Sequence, residues 1–237
     1  MKRIFTVLLD FLFPCYCVSC GIPVSSESNH LCSDCRAELV PIPDGCRCCS
    51  SPLEGGECRY CGSRKFYPVR HISVFDYSGV VKNIIHALKF GRLRNVHKAV
   101  VPFLAEKIGE IIDEVDIVTY VPMSRKKQGA RGYNQSLLIG RALSHDAGVP
   151  FADLLKEKGN SAAQRGLGYT GRFINVIDRY IPVGNIKFYG KTVLIVDDVF
   201  TTGATVNECA RQLLMAGAKQ VFSLTVARAD LKKLENI

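Results

Sequence analysis

Two adjacent carboxylates, Asp197 and Asp198, close a run of four apolar residues from Val193 to Val196. A loop of hydroxyls around a glycine, Thr201, Thr202, Gly203, Ala204 and Thr205, follows almost at once. Like charges side by side at the end of a buried stretch are unfavourable without a partner. The loop opens a helix, and a helix N-terminus offers unpaired N–H groups and the positive end of a dipole. Gly203 permits close backbone approach, and the three threonines add donors, so the loop has the makings of a phosphate cradle. The acids repel phosphate and suit sugar hydroxyls, or a magnesium ion held through them. Together the pair and the loop point to a sugar phosphate, with phosphate on the loop and ribose on the carboxylates. The plainer alternative is a strand followed by a capped helix. No Gly-Lys-Ser/Thr ending follows, which excludes a P-loop.

A second chemistry lies at the other end of the chain. Ten of the eleven cysteines fall between Cys15 and Cys61. Eight form C-x-x-C pairs: Cys17 and Cys20, Cys32 and Cys35, Cys46 and Cys49, Cys58 and Cys61. Each pair presents two thiolates from one tight turn, and two pairs complete a tetrahedral zinc site. Two structural zinc ions are expected. The simplest pairing is sequential, because local pairing closes short loops; a crossed pairing is left open. Cys15 and Cys48 are spare, and Cys209 belongs to a helix. The rival reading is a secreted disulfide module. Its leader would be the N-terminal stretch, but Asp10 interrupts the apolar run and no small-x-small cleavage site follows. The stretch is also too short to span a bilayer. The expectation is a short amphipathic helix there and a cytoplasmic protein with reduced, metal-bound thiols.

The elements that must position these residues read as a parallel α/β sheet. Ile72, Val74 and Phe75 predict a strand. Val80, Val81, Ile84, Ile85 and Leu88 recur at helical spacing. Further helices are expected over Val100 to Ile112 and around Leu137, Leu138 and Ala142, the latter ended by Gly148 and Pro150. Val115 to Pro122, the stretch ending in Asp197 and Asp198, and Val221 to Ala227 read as buried strands. In such a sheet ligands bind beyond the carboxyl ends of the strands, where the two acids sit. The division expected is residues 1–65 for an N-terminal helix and a double ribbon, a separate unit, and 66–237 for the α/β domain.

The stretch around Asp197 resembles the phosphoribosyl diphosphate (PRPP) motif of type I phosphoribosyltransferases. The resemblance implies ribose hydroxyls on Asp197 and Asp198, the 5-phosphate on Thr201 to Thr205, magnesium, and a diphosphate loop after an earlier strand. That loop is expected at Val121 to Gln135, where Ser124, Arg125, Lys126 and Lys127 could neutralise diphosphate; a solvated basic turn is the alternative. C-x-x-C pairs, then HALKFGR (His86 to Arg92), RGYNQ (Arg131 to Gln135), a segment with Gln164, Leu167, Arg172 and Asn175, and VDDVFTTGAT, in that order, are similar to the ComF family of competence-related proteins. The resemblance covers nearly the full length. It implies a type I phosphoribosyltransferase-like fold, a parallel α/β sheet, behind a zinc-ribbon module with four cysteines to each ion. It also implies a mobile flap carrying Gln164, Arg172 and Asn175, and a link to natural transformation and the handling of single-stranded DNA. Other competence proteins are expected among its partners.

Charge is consistent with an anionic ligand. Residues 1–65 carry seven basic and seven acidic side chains, so the whole formal charge of +9 arises beyond them. No acid occurs between Asp76 and Glu106, whereas Lys82, Lys89, Arg92, Arg94 and Lys98 do, with Tyr77 and Phe90 near them. Basic residues with aromatics among them could hold a single strand by charge and stacking. The alternative is an ordinary solvated helix face. Two functions follow: a phosphoribosyltransferase that releases diphosphate, or a DNA-handling factor that uses the same pocket to sense its ligand.

Overall fold

The computed structural model describes residues 14–61, 65–158, 176–183 and 188–229. The N-terminal helix and the flap residues Gln164, Arg172 and Asn175 expected from sequence lie outside them.

Two short strands, β1 (Cys15–Tyr16) and β2 (Pro23–Val24), pair antiparallel and precede a one-turn helix, α1 (Ser33–Ala37). Then comes β3 (Arg70–Asp76) and α2 (Gly79–Phe90), whose Val80, Val81, Ile84, Ile85 and Leu88 are all buried, as their spacing requires. A 3-10 turn (Arg94–Ala99) leads to α3 (Val101–Lys107). The apolar period promises a helix as far as Ile112. Instead the N–H groups of Gly109 and Ile111 bond three residues back, and a second 3-10 turn covers Ile112–Glu114. Gly109 makes a long helix unfavourable there, yet Ile108 and Ile111 stay buried, which is why the pattern runs on.

Strand β4 (Ile117–Tyr120) is followed by α4 (Arg125–Arg131) and α5 (Gln135–Ala147). Helix α4 lies in what the sequence reads as a loop. Gly148, at φ 67°, closes α5 in the left-handed conformation that glycine adopts freely. Strands β5 (Leu155–Glu157) and β6 (Tyr180–Pro182) make a small antiparallel pair. The chain then returns through β7 (Thr192–Phe200), α6 (Ala204–Met215) and β8 (Gln220–Arg228).

The main sheet is parallel in the order β3-β8-β7-β4. Leu194 and Val196 of β7 pack on one face with Phe222, Leu224, Ile84, Leu104 and Ile139, under α2, α3 and α5. Val193 and Ile195 pack on the other with Val206, Ala210 and Leu213 of α6. Both faces of β7 are therefore covered, as its unbroken apolar run demands.

The cysteine region is not a detached unit. Cys17, Leu31, Cys35 and Leu39 share one apolar core with the sheet. β3 is an edge strand, and an edge leaves N–H and C=O groups without partners. Residues 42–50 supply them. Ile42 N–H donates to Val74 O (2.8 Å) and His71 N–H to Arg47 O (2.7 Å). Ser50 Oγ donates to His71 O (3.1 Å) and accepts from Ser73 N–H (2.9 Å). Beneath this cover His71 bonds Ser223 and Ser73, and Ser73 bonds Thr225. Burial, then the charge of Arg228, push His71 down to about 3, so it stays neutral. His71 also stacks on Phe200, ring centroids 4.0 Å apart. The cysteine region thus packs on and hydrogen-bonds to the sheet. Among the described residues no helix is long and apolar enough to cross a membrane.

Shared packing has a thermal consequence. Stripping metal from the cysteine clusters with a chelator should lower the melting temperature of the whole chain in calorimetry. A sheet transition that stays put while a second, smaller one disappears would contradict it.

Candidate functional site

The two acids of β7 do not stand bare. Asn134 caps α5: its side chain accepts from the N–H groups of Ser136 (2.9 Å) and Leu137 (3.4 Å) and donates to Val121 O (3.0 Å). This fixes the first turn of α5 against the end of β4. Tyr133, one residue earlier, donates its hydroxyl to Leu88 O of α2 (2.7 Å). Gly132, at φ 83°, ends α4 and turns the chain into that anchor. The next two side chains then reach the acids. Ser136 Oγ donates to Asp197 Oδ1 (2.7 Å), and Gln135 Nε2 to Asp198 Oδ2 (3.0 Å). Lys89, near the end of α2, places its ammonium on the same Asp198 oxygen at 3.0 Å. Gly132, Tyr133, Asn134 and Gln135 of the RGYNQ segment thus each have a physical task.

The result is a polar cleft of about 240 Å³, walled by Lys89, Lys127, Arg131, Gln135, Glu157 and Tyr180 around Asp197 and Asp198. Burial, and then the Asp198 charge beside it, push the Asp197 carboxyl up to about 7. Asp197 Oδ1 also accepts the Asp198 N–H (2.9 Å). One oxygen of each acid is therefore fully used: Oδ1 of Asp197 and Oδ2 of Asp198. The other oxygen of each has no partner among the described residues. Gln135 Oε1 is buried in the cleft wall, also with no partner among the described residues. Such an atom calls for a donor. Glu157 is held by Arg179, whose Nε donates to it at 2.7 Å.

Sequence reasoning and structure differ on several residues. Of the basic run, Lys127 and Arg131 wall the cleft, while Arg125 and Lys126 do not, and Ser124 Oγ instead accepts Lys127 N–H at the start of α4. A helix turns only part of its surface to one side, so consecutive residues cannot all face the ligand. Thr201 to Thr205 sit where α6 begins. Thr202 is buried and its hydroxyl accepts the N–H of Ala204 (3.3 Å). Gly203 lies at φ 77°, and a Cβ there would strike the Phe200 ring at 2.4 Å, so only glycine fits. Lys89, read from sequence as part of a DNA face, points inward to Asp198. Arg94 donates to Gly132 O (3.1 Å) and lies over the Tyr133 ring, holding the RGYNQ turn. Lys82, Arg92 and Lys98 are exposed. Gln135 lies inside a motif that the sequence singles out without giving it a role. Glu157 and Tyr180 lie on strands of three residues, too short for any periodic signal.

The cysteines gather sequentially. The sulfurs of Cys17, Cys20, Cys32 and Cys35 lie within 4.8 Å of one another, and so do those of Cys46, Cys49, Cys58 and Cys61. Sulfurs on one tetrahedral zinc ion lie about 3.8 Å apart, given Zn–S bonds of about 2.3 Å. Cys20 to Cys32 at 3.7 Å and Cys49 to Cys58 at 3.6 Å fit, Cys46 to Cys61 at 3.3 Å and Cys49 to Cys61 at 3.1 Å are tighter, and no disulfide joins the described thiols. Burial opposes ionisation of Cys17, but N–H groups of Cys20, Cys32 and Ser19 outweigh it and bring the thiol down to about 6. Burial likewise opposes ionisation of Cys58; N–H groups of Tyr60 and Cys61 bring it to about 7. Each cluster so holds one thiol ready to become thiolate. The donor sets suit two zinc ions, and the crossed pairing is not what the fold assembles.

The raised Asp197 carboxyl has a signed effect on stability. An acid with a folded value near 7 and an unfolded value near about 3.9 costs stability as pH rises between the two, and the cost is complete above about 7. Asp197→Asn should therefore raise the melting temperature more at about pH 7.5 than at about pH 5 in thermal melts. Asp198→Asn should lower it, because Lys89 loses its counter-charge. A pH-independent gain for Asp197→Asn would contradict the burial reading.

Residues 8–64 match the double zinc ribbon domain, and residues 134–236 the phosphoribosyl transferase domain. Competence protein ComFC of Streptococcus pneumoniae is 28% identical over 206 residues, 86% of this chain and 90% of that one. Competence protein F of Haemophilus influenzae is 26% identical over 222 residues, 90% and 96% of the two chains. DNA utilization protein YhgH of Escherichia coli (strain K12) is 27% identical over 219 residues, 88% and 94%. Thiolate clusters, parallel sheet and likeness over most of the length agree: the chain joins a double zinc ribbon to a phosphoribosyltransferase-like domain and is similar to competence and DNA utilization proteins of the same build.

Proposed function

We propose that the cleft binds PRPP, with the ribose 2- and 3-hydroxyls on Asp197 and Asp198. The observation that carries this is the pattern of used and unused oxygens. The protein satisfies one oxygen of each acid and leaves the other without a partner among the described residues, so two acceptors in one cleft await O–H donors, which a vicinal diol supplies. Lys127 and Arg131 are cations in the same cleft, suited to the diphosphate. Magnesium, when bound with the diphosphate, would draw charge from the leaving group. In a transfer reaction the C1–oxygen bond breaks with its electron pair leaving on diphosphate. The carboxylates hold the sugar while positive charge grows on its ring. The acceptor that then bonds to C1 is a separate question. Relatives named for competence and for DNA utilization support a role in natural transformation or the use of DNA, and reduced thiols on zinc suit the cytoplasm as its place.

Calorimetric titration tests the reading. The parent should bind PRPP in the presence of magnesium, and the variant with Asp197→Asn and Asp198→Asn together should not. Binding unchanged in that variant would make the acids structural and end the proposal. Thr202→Val should weaken PRPP by about 1–3 kcal/mol if its hydroxyl also donates to phosphate, and should leave zinc content unchanged.

A second reading has its own observation. Phe90 is 66% exposed at the tip of α2, with the Arg131 guanidinium 5.6 Å above its ring and His86 beside it. Lys82, Arg92 and Lys98 lie exposed on the same stretch of chain. An open aromatic among cations fits a base stacked on a single strand of DNA. Phe90→Ala should weaken oligonucleotide binding at all sequences, and Arg92→Ala should lower the log–log salt slope by about one. A fluorescence titration in which neither variant differs from the parent would remove this surface from consideration.

A further inference from the structure

Lys89 is a half-buried cation placed where no surface role explains it. Its ammonium lies 3.0 Å from Asp198 Oδ2, and its side chain is 23% exposed, inside the cleft wall. An ammonium carries three donors. One is used on Asp198, and the other two have no partner among the described residues. Asp198 Oδ2 also accepts from Gln135, so a single ammonium donor completes that oxygen. Desolvating an ammonium beside a carboxylate is costly unless its other donors are met. Two donors open to a cleft, with no acceptor among the described residues to fill them, indicate an acceptor brought by the ligand.

The geometry points to Lys89 as a ligand-contacting residue: we propose that its ammonium bonds a phosphoryl oxygen of the sugar phosphate whose diol sits on Asp197 and Asp198. This rests on the sugar-phosphate reading of the cleft. Lys89 would serve two charges at once. It offsets Asp198, so that a doubly acidic strand end can stand beside a polyanion, and it draws the anion toward the side of the cleft where Lys127 and Arg131 also stand. It gives the site its preference for a phosphorylated sugar over a neutral one. The phosphoryl oxygen can belong to the 5-phosphate or to the diphosphate.

The titratable groups around Asp197 are Asp198 on β7, Lys89 on α2, Lys127 and Arg131 on α4, Glu157 on β5, and the neutral Tyr180 on β6 and Cys209 on α6. Of the cations, Lys89 lowers the Asp197 value against burial. Removing it should therefore move any binding transition governed by that carboxyl to higher pH.

The experiment is titration calorimetry of the zinc-loaded full chain with ribose 5-phosphate and with PRPP plus magnesium. The proteins are the parent, Lys89→Met, Lys89→Gln and Lys89→Arg, between about pH 6 and 8.5, a range that brackets the Asp197 transition. Lys89→Gln keeps a hydrogen bond to Asp198 and covers the case in which Lys89→Met does not fold. Lys89→Met or Lys89→Gln should weaken binding on the order of 10- to 100-fold, with the pH midpoint moved upward and largely restored in Lys89→Arg. An equal loss for both ligands assigns the contact to the 5-phosphate; a loss for PRPP alone assigns it to the diphosphate. A parent that binds while the neutral variants bind equally tightly, with the same pH midpoint, overturns the role of Lys89 and leaves the sugar-phosphate reading standing. A parent that binds neither ligand overturns both.

Discussion

Two carboxylates on consecutive residues of a buried strand are the constraint around which this domain is arranged. A sheet interior does not tolerate them without donors, and the donors come from elements far apart in the chain. Ser136 and Gln135 enter from the first turn of α5, Lys89 from the last turn of α2, and Asp198 lends its own N–H. Each donor needs its helix held at the right height. The Tyr133 hydroxyl on Leu88 O ties α2 to the turn before α5, and Asn134 ties that turn to the end of β4. Loosening any of these ties would move a donor away from a buried charge. That is a physical reason for HALKFGR and RGYNQ to face one another across the cleft.

The second constraint is the open edge of β3. Beside the buried Ile72 and Val74 it also buries His71 and Ser73, and these two match Ser223 and Thr225 across the register. Such a polar patch is stable only when sealed and hydrogen-bonded. The turn that carries Cys46 and Cys49 provides the seal through Arg47 and Ser50, and Arg228 donates to Ser51. Phe200, stacked on His71, also fills the space against Gly203 at the start of α6. The second thiolate cluster and the loop after the acids are thus joined by a few packed residues.

Much of this is legible in the sequence. The strands β3, β7 and β8 announce themselves through runs of Val, Ile, Leu and Phe. The helices α2, α5 and α6 do so through buried residues three and four apart. Four C-x-x-C pairs and a pair of acids at a strand end are signals that the side-chain chemistry itself supplies. What is not legible depends on direction. Lys89 sits in a basic stretch, and only the helix phase reveals that it turns inward while Phe90 turns out. Likewise Lys127 and Arg131, four residues apart, share a face of α4 that Arg125 and Lys126 do not. The cysteine region reads as independent because the need of an edge strand for partners emerges only once the strand order is known.

The central claim is that one open oxygen on each of Asp197 and Asp198 receives one hydroxyl of a vicinal diol. Comparing ribose 5-phosphate with 2-deoxyribose 5-phosphate on the parent protein by calorimetry tests it directly, since the two ligands differ by a single hydroxyl. Ribose 5-phosphate should bind at least about ten-fold more tightly, because loss of that hydroxyl removes one of the two donors to the acids. Equal affinities for the two sugars would contradict it.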